Sequence, residues 1–152
     1  MPEMVIGDDS GFSDPTFVPS VGNLAQGLMN RSAWDVGKPD SVTYKIAEMF
    51  KAKTGRDMDD TSARSMQAML VLADAINRAG STEPAKIQAA LEATDLKPEQ
   101  LMMGFRGVKF DETGQNILAA TYLIQLQGKS YVAVWPEKSA TAPLKWPMTG
   151  WK

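Results

Sequence analysis

Two groups of carboxylates are the side chains best spaced to do chemistry in this sequence: Asp8 with Asp9, and Asp57 with Asp59 and Asp60. Adjacent carboxylates can share acid–base work. Neighbours in an extended segment, however, project to opposite sides, so one of the first pair can face a pocket while the other faces water. The alternative for that pair is a plain polar loop. Asp57, Asp59 and Asp60 have the alternation with which a calcium loop begins. Such a loop also needs a central glycine and a glutamate at its twelfth position. Counted from Asp57 that position is Ala68, and no glycine intervenes. The spacing suits better a set of carboxylates that solvate a loop and favour the N-terminus of the next helix. No metal and no cofactor is expected. Gly104, Arg106 and Gly107 lack the lysine and the following helix of a phosphate-binding loop.

The chain has no histidine and no cysteine. That removes the commonest general base, the serine–histidine and cysteine–histidine nucleophiles and any disulfide. No catalytic residue is assigned, and an enzyme would rest on the acidic pairs alone. The net charge of −2 offers no basic excess to grip phosphates, which makes nucleic acid a poor partner. At 152 residues, 43% hydrophobic and 22% charged, the composition suits one globular domain with a real core. No apolar run approaches the roughly 20 residues that cross a bilayer. The start, Met1-Pro2-Glu3-Met4, has no basic region followed by an apolar stretch, so no export signal is expected there.

The elements that must position these groups follow from apolar spacing. Met4 to Ile6 predicts a short strand, residues 7–23 a long surface loop rich in Gly, Asp, Ser and Pro, and Gly27 to Arg31 a second short strand. Pro39-Asp40-Ser41 opens a helix whose apolar face is Val42, Ile46, Met49 and Phe50, with Gly55 just past its end. A second helix places Met66, Met69, Leu70, Ala73 and Ile76 on one stripe, expected to be core, with Gly80 capping it. Ser81-Thr82-Glu83-Pro84 starts a third, with Ile87, Ala90 and Leu91 inward. Beyond Pro98 the period becomes extended. Val108 and Phe110 alternate around Lys109, Asp111 to Gly114 is a turn, residues 117–126 read as a buried strand, and Tyr131 to Trp135 as its hairpin partner. The tail from Pro136 to Lys152, with Trp146 and Trp151, is expected to lie extended over the body, its tryptophans burying area. This order alone gives α/β or α+β.

Three stretches together carry a resemblance. They are Met69 to Ser81 followed by Pro84 and Ile87 to Leu91; Gly107-Val108-Lys109-Phe110-Asp111-Glu112-Thr113-Gly114-Gln115-Asn116; and Tyr131 to Pro136 with Ala140-Thr141-Ala142-Pro143 and Trp146-Pro147-Met148. In this order they resemble the C-terminal region of periplasmic branched-chain amino acid-binding proteins, the extracellular ligand-binding receptors that serve ABC importers. The resemblance implies an α/β chain with a partial type I periplasmic-binding-protein fold, helices packed on strands and a C-terminal β-hairpin, with the N-terminal lobe largely missing. The family has two lobes joined by three crossovers, and hinge closure traps the ligand between them. Residues 1–152 would then be a single C-terminal fragment, about 1–26 and 121–152 belonging to the second lobe and about 27–120 to the first. An export signal would lie upstream.

What the resemblance implies for function is capture of a small amino acid or amide, delivery to an ABC transporter permease, a periplasmic address and no catalysis. In amino acid-binding members an acidic residue after a strand and a glycine holds the ligand's ammonium. Val5-Ile6-Gly7-Asp8-Asp9 matches that setting, with Asp9 the better candidate and Asp8 the alternate. A side chain just before the long helix also touches the ligand in the family. Here that falls at Asp60 or Thr61, where some relatives have an aromatic, a departure that speaks against a leucine-like ligand. The alternative to a receptor fragment is a stand-alone interaction domain. In either case, faces left uncovered by an absent lobe would invite a homodimer.

Overall fold

In the computed structural model, which describes residues 2–8, 10–36, 39 and 41–150, the longer strands form one sheet and the long helices a separate group beside a small β-ribbon. Strand β1 (Met29–Ser32) pairs antiparallel with β4 (Tyr122–Gln127), and β4 pairs antiparallel with β5 (Ser130–Trp135). The hairpin turns at Gly128, whose φ of 73° is a left-handed conformation that glycine adopts without strain. Met4 to Ile6 contributes only a parallel bridge from Ile6 to Met29. The segment expected to be loop is partly helical. It contains α1 (Phe17–Val21) between two 3₁₀ turns, Ser10–Phe12 and Gly22–Ala25. The Asp14 carboxylate accepts the Thr16 N–H, and the rings of Phe12 and Phe17 meet edge-on at 5.4 Å, which folds this stretch locally despite its turn-forming composition.

Helices α2 (Val42–Thr54), α3 (Asp60–Ala79) and α4 (Pro84–Glu92) follow the sequence signals. Ser41 and Asp59 are N-caps, accepting the N–H groups of Tyr44 and Ser62, and Gly55 and Gly80 close α2 and α3 in the left-handed region. Asp40 lies outside the described residues. The ribbon pairs β2 (Asp95–Leu96) with β3 (Val108–Lys109), and α3 and α4 pack on it through Val71, Leu91, Leu96 and Val108. A second apolar cluster joins Ala47 of α2, Ala63 of α3, Ala33, Met58, Met102 and Met103, and the half-buried Phe105 touches both clusters.

The buried face of α3 corrects the sequence expectation. The side chains that go inside are Asp60, Ala63, Gln67, Val71 and Ala75. Met66, Met69, Ala73 and Ile76 fall about 180° round the helix from them at 3.6 residues per turn, and Met69 is 60% exposed. Small side chains win the inner face because α3 lies close against the 101–103 segment, where the Gln67 Oε1 accepts the N–H groups of Met102 (2.9 Å) and Met103 (3.3 Å). The predicted strand at 117–126 starts only at Tyr122. Before it, Asn116 ties the chain to Gly107 and Lys109 in a turn.

The tail does lie over the sheet, and Gln125 holds it there. Gln125 is fully buried on the face of β4 opposite Ile124 and Leu126. Its Nε2 donates to the carbonyls of Gly27 (3.0 Å) and Lys145 (2.8 Å), and its Oε1 accepts from Lys145 N (2.9 Å) and Gln127 Nε2 (2.9 Å). The apolar anchor is Met148, which packs on Gly27 so tightly that a Cβ there would meet Met148 at 2.7 Å. Trp146, expected to bury area, is 60% exposed, and Trp151 lies outside the described residues.

Tyr131 gives a pH prediction. Its hydroxyl donates to the Phe12 carbonyl (2.7 Å), and burial pushes its pKa up to about 12. A phenol whose folded pKa exceeds its unfolded value of about 10 favours the fold while protonated. That stability is complete below pH ~10 and is lost as pH rises through the folded value. Unfolding midpoints measured between pH 9 and 12 are expected to fall, and Tyr131→Phe to flatten the fall. An identical decline in Tyr131→Phe would count against the link between Tyr131 and Phe12.

Candidate functional site

The end of β1 and the start of α3 meet around one buried carboxylate. Asp60, first residue of α3, is 6% exposed. Its Oδ1 accepts from the Ser32 hydroxyl (2.7 Å) and the Ala33 N–H (3.3 Å), and its Oδ2 accepts from Arg64 Nε (2.6 Å), one helical turn on. The next side chain back along β1, Arg31, alternates to the outer face and pairs through Nε with Asp8 at 2.5 Å. Between these two ion pairs opens a recess of about 300 Å³, lined by Ser10, Arg31, Asp60, Thr61, Arg64 and Ser65.

The predicted residues therefore stand as follows. Asp60 and Thr61 line the recess, and Asp8 reaches it through Arg31. Asp9 lies outside the described residues. Both Asp60 oxygens are hydrogen-bonded, so it orients Arg64 and anchors Ser32. Arg31, Arg64, Ser10 and Ser65 are recess residues that the sequence reading did not select. Of the three carboxylates weighed as a calcium loop, Asp57 pairs with Lys51 (2.8 Å), Asp59 caps α3 and Asp60 is engaged as above.

A larger hollow, about 470 Å³, runs between α3, α4 and β3 and is mainly apolar, with Leu72, Leu91, Phe105 and Phe110 among its walls. It holds none of the predicted residues. The Gln67 Nε2 beside it is buried and, among the described residues, has no hydrogen-bond partner.

The fold is that of part of a periplasmic binding protein. Comparisons with known proteins agree. No protein-family model matches the chain. The Leu/Ile/Val-binding protein homolog 8 of Brucella abortus is 28% identical over 149 residues, which is 95% of this chain and 37% of that protein. Among solved structures, a leucine-binding protein LivK from Thermotoga maritima matches 84% of the chain and 35% of its own, with a TM-score of 0.63 at 23% identity. The branched-chain amino acid transporter substrate-binding protein LivJ from Streptococcus pneumoniae, solved with isoleucine, gives 0.65 at 17% identity over the same 84% of the chain. The resemblance read from the sequence is borne out, as is the partial periplasmic-binding-protein fold. The chain spans a little over a third of the length of the relatives it matches. By their names those relatives are amino acid-binding and transporter substrate-binding proteins. No helix among the described residues is long and apolar enough to cross a membrane.

Proposed function

We propose that this chain is part of the solute-binding component of an ABC importer for branched-chain amino acids or related small amino acids or amides. It acts in the periplasm and hands its ligand to the transporter permease. One observation carries the reading. Positions expected on the ligand wall, separated by some fifty residues of sequence, meet at a single recess that joins the Asp8 segment, β1 and the start of α3. Asp9 remains the proposed acceptor of the ligand's ammonium from the resemblance, with Asp8, which pairs with Arg31, the alternate. A carboxylate in a closing, poorly solvated cleft pairs strongly with a cation. On this reading about 1–26 and 121–152 belong to the second lobe and about 27–120 to the first, with one change: β1 pairs with β4 and so goes with the second lobe.

An antibody to the chain, used on separated periplasmic and cytoplasmic fractions of the source cells, tests this. A periplasmic band more than twice the 16.5 kDa of the chain is expected. A cytoplasmic band at the mass of the chain would contradict it and favour a free-standing interaction domain.

The outer stripe of α3 gives that second reading a specific basis. Met66, Met69 and Ile76 leave an apolar stripe of α3 exposed. The 152-residue chain by itself is expected to form dimers in sedimentation experiments, and Met69→Glu with Ile76→Glu to weaken them at least about tenfold, as a charge on a buried patch requires. Dimers unaffected by both substitutions would exclude the α3 stripe as the contact.

A further inference from the structure

We infer that the part of the ligand facing this wall carries a carboxylate, and that the terminal nitrogens of Arg64 receive it. The inference rests on the reading of the recess as a ligand wall and adds what the wall selects. Every side chain lining the recess is polar or charged. A branched aliphatic group placed there would meet guanidinium and hydroxyl groups. It would gain little apolar contact, and it would strip water from polar groups without replacing their hydrogen bonds.

Arg64 is set for an anion. Its Nε is spent on Asp60, which is itself held by Ser32 and Ala33, so one edge of the guanidinium is fixed to a buried anchor. The side chain is still 46% exposed, and among the described residues no hydrogen-bond partner occupies its two terminal nitrogens. That leaves the outer edge of a pre-oriented planar fork, which matches a carboxylate with two parallel N–H···O bonds. The neighbouring Thr61 hydroxyl can donate to the same anion, whereas the Ser65 O–H donates to the Thr61 carbonyl at 3.0 Å. Asp60 is turned to Ser32 and Arg64, and Asp8 to Arg31, so the charge this part of the wall presents outward is the Arg64 fork. With the ligand's ammonium assigned to the Asp8–Asp9 side, the carboxylate recognised at Arg64 is one the ligand carries on its side chain or, in a plain carboxylic acid, as its only charge.

The test is titration calorimetry on the protein as its source cells produce it, with L-glutamate, L-leucine and succinate as probes. L-Glutamate is expected to bind at least about tenfold more tightly than L-leucine. Arg64→Met should weaken glutamate by about 10- to 100-fold, the range for a lost hydrogen bond to a charged group, and leave leucine within about twofold. Arg64→Lys keeps the charge beside Asp60 and guards against a folding artefact. It should bind glutamate with intermediate strength and melt near the parent temperature. Leucine binding more tightly than glutamate, or glutamate binding unchanged in Arg64→Met, would overturn the inference and leave the receptor reading standing. Succinate binding that depends on Arg64, with neither amino acid bound, would support the carboxylate wall and refute the amino acid reading. Binding of none of the three would overturn the inference.

Discussion

Asp60→Ala is expected to destabilise the chain by about 2–4 kcal/mol. Among the described residues the carboxylate is the only acceptor for the N–H of Ala33, a residue with no exposure, and it takes the Ser32 hydroxyl and Arg64 Nε as well. A buried backbone donor left unpaired costs about 1–3 kcal/mol. Losing a negative charge from the first turn of α3 adds about 0.3–1 kcal/mol. Breaking a fully buried ion pair would cost more, but Arg64 is half-exposed and can turn to water. Ser32 keeps a long contact with the Trp34 carbonyl (3.4 Å), which softens its loss. Asp60→Asn retains one acceptor and should cost roughly half as much. Urea unfolding curves with a common slope give both numbers. A midpoint for Asp60→Ala within about 0.5 kcal/mol of the parent would mean that Asp60 is not the buried hub between β1 and α3.

The second large effect is expected at Gln125→Leu, which fills similar space and removes all four hydrogen bonds of a fully satisfied buried amide. It strands the Gly27 carbonyl and both backbone groups of Lys145 on the underside of the tail. Each stranded group costs about 1–3 kcal/mol if it stays buried, so the cheaper response is for residues 143–146 to lift into water. Limited trypsin digestion reads this directly, because Lys145 is exposed and its bond becomes a better substrate once the segment is free. Cleavage at Lys145 about tenfold faster than in the parent is expected, with a loss of about 2–4 kcal/mol in stability. Gln127→Leu, which removes only the partly exposed bonds to Pro143 and Gln125, should cost less than about 1 kcal/mol. Equal rates for both variants would show that the tail is held elsewhere.

The local punctuation of the helices was legible in the sequence. Ser41 at the opening of α2, Gly55 and Gly80 as stops, and carboxylates at the start of α3, of which Asp59 is the cap, each act within a few residues. What lies on which face was not. Choosing the most hydrophobic stripe of α3 selects Met66, Met69 and Ile76, yet close packing wants Ala63 and Ala75, and backbone satisfaction wants Gln67. A stripe that is apolar but exposed fits a chain spanning 37% of a curated relative. The recess was half legible. Its acidic members stood out, and the spacing of Asp60 and Arg64 is an ordinary helical ion-pair signal that went unused. Arg31 gave no such signal, since its partner Asp8 reaches it only through the pairing of two distant segments. Buried Gln125 was equally silent, because a glutamine in a strand reads as a solvent-facing residue until a tail covers it.

Amide hydrogen exchange on the protein as the source cells make it, with and without the amino acid or carboxylate it captures, tests the ligand wall most directly. Protection should rise together in two segments far apart in sequence, the amides around Asp8 and Ser10 and those of Thr61 to Ser65, with little change along the α4 side of the apolar hollow. Protection confined to the hollow between α3 and α4, or absent from both recess segments at saturating ligand, would contradict the assignment of the recess as the ligand wall.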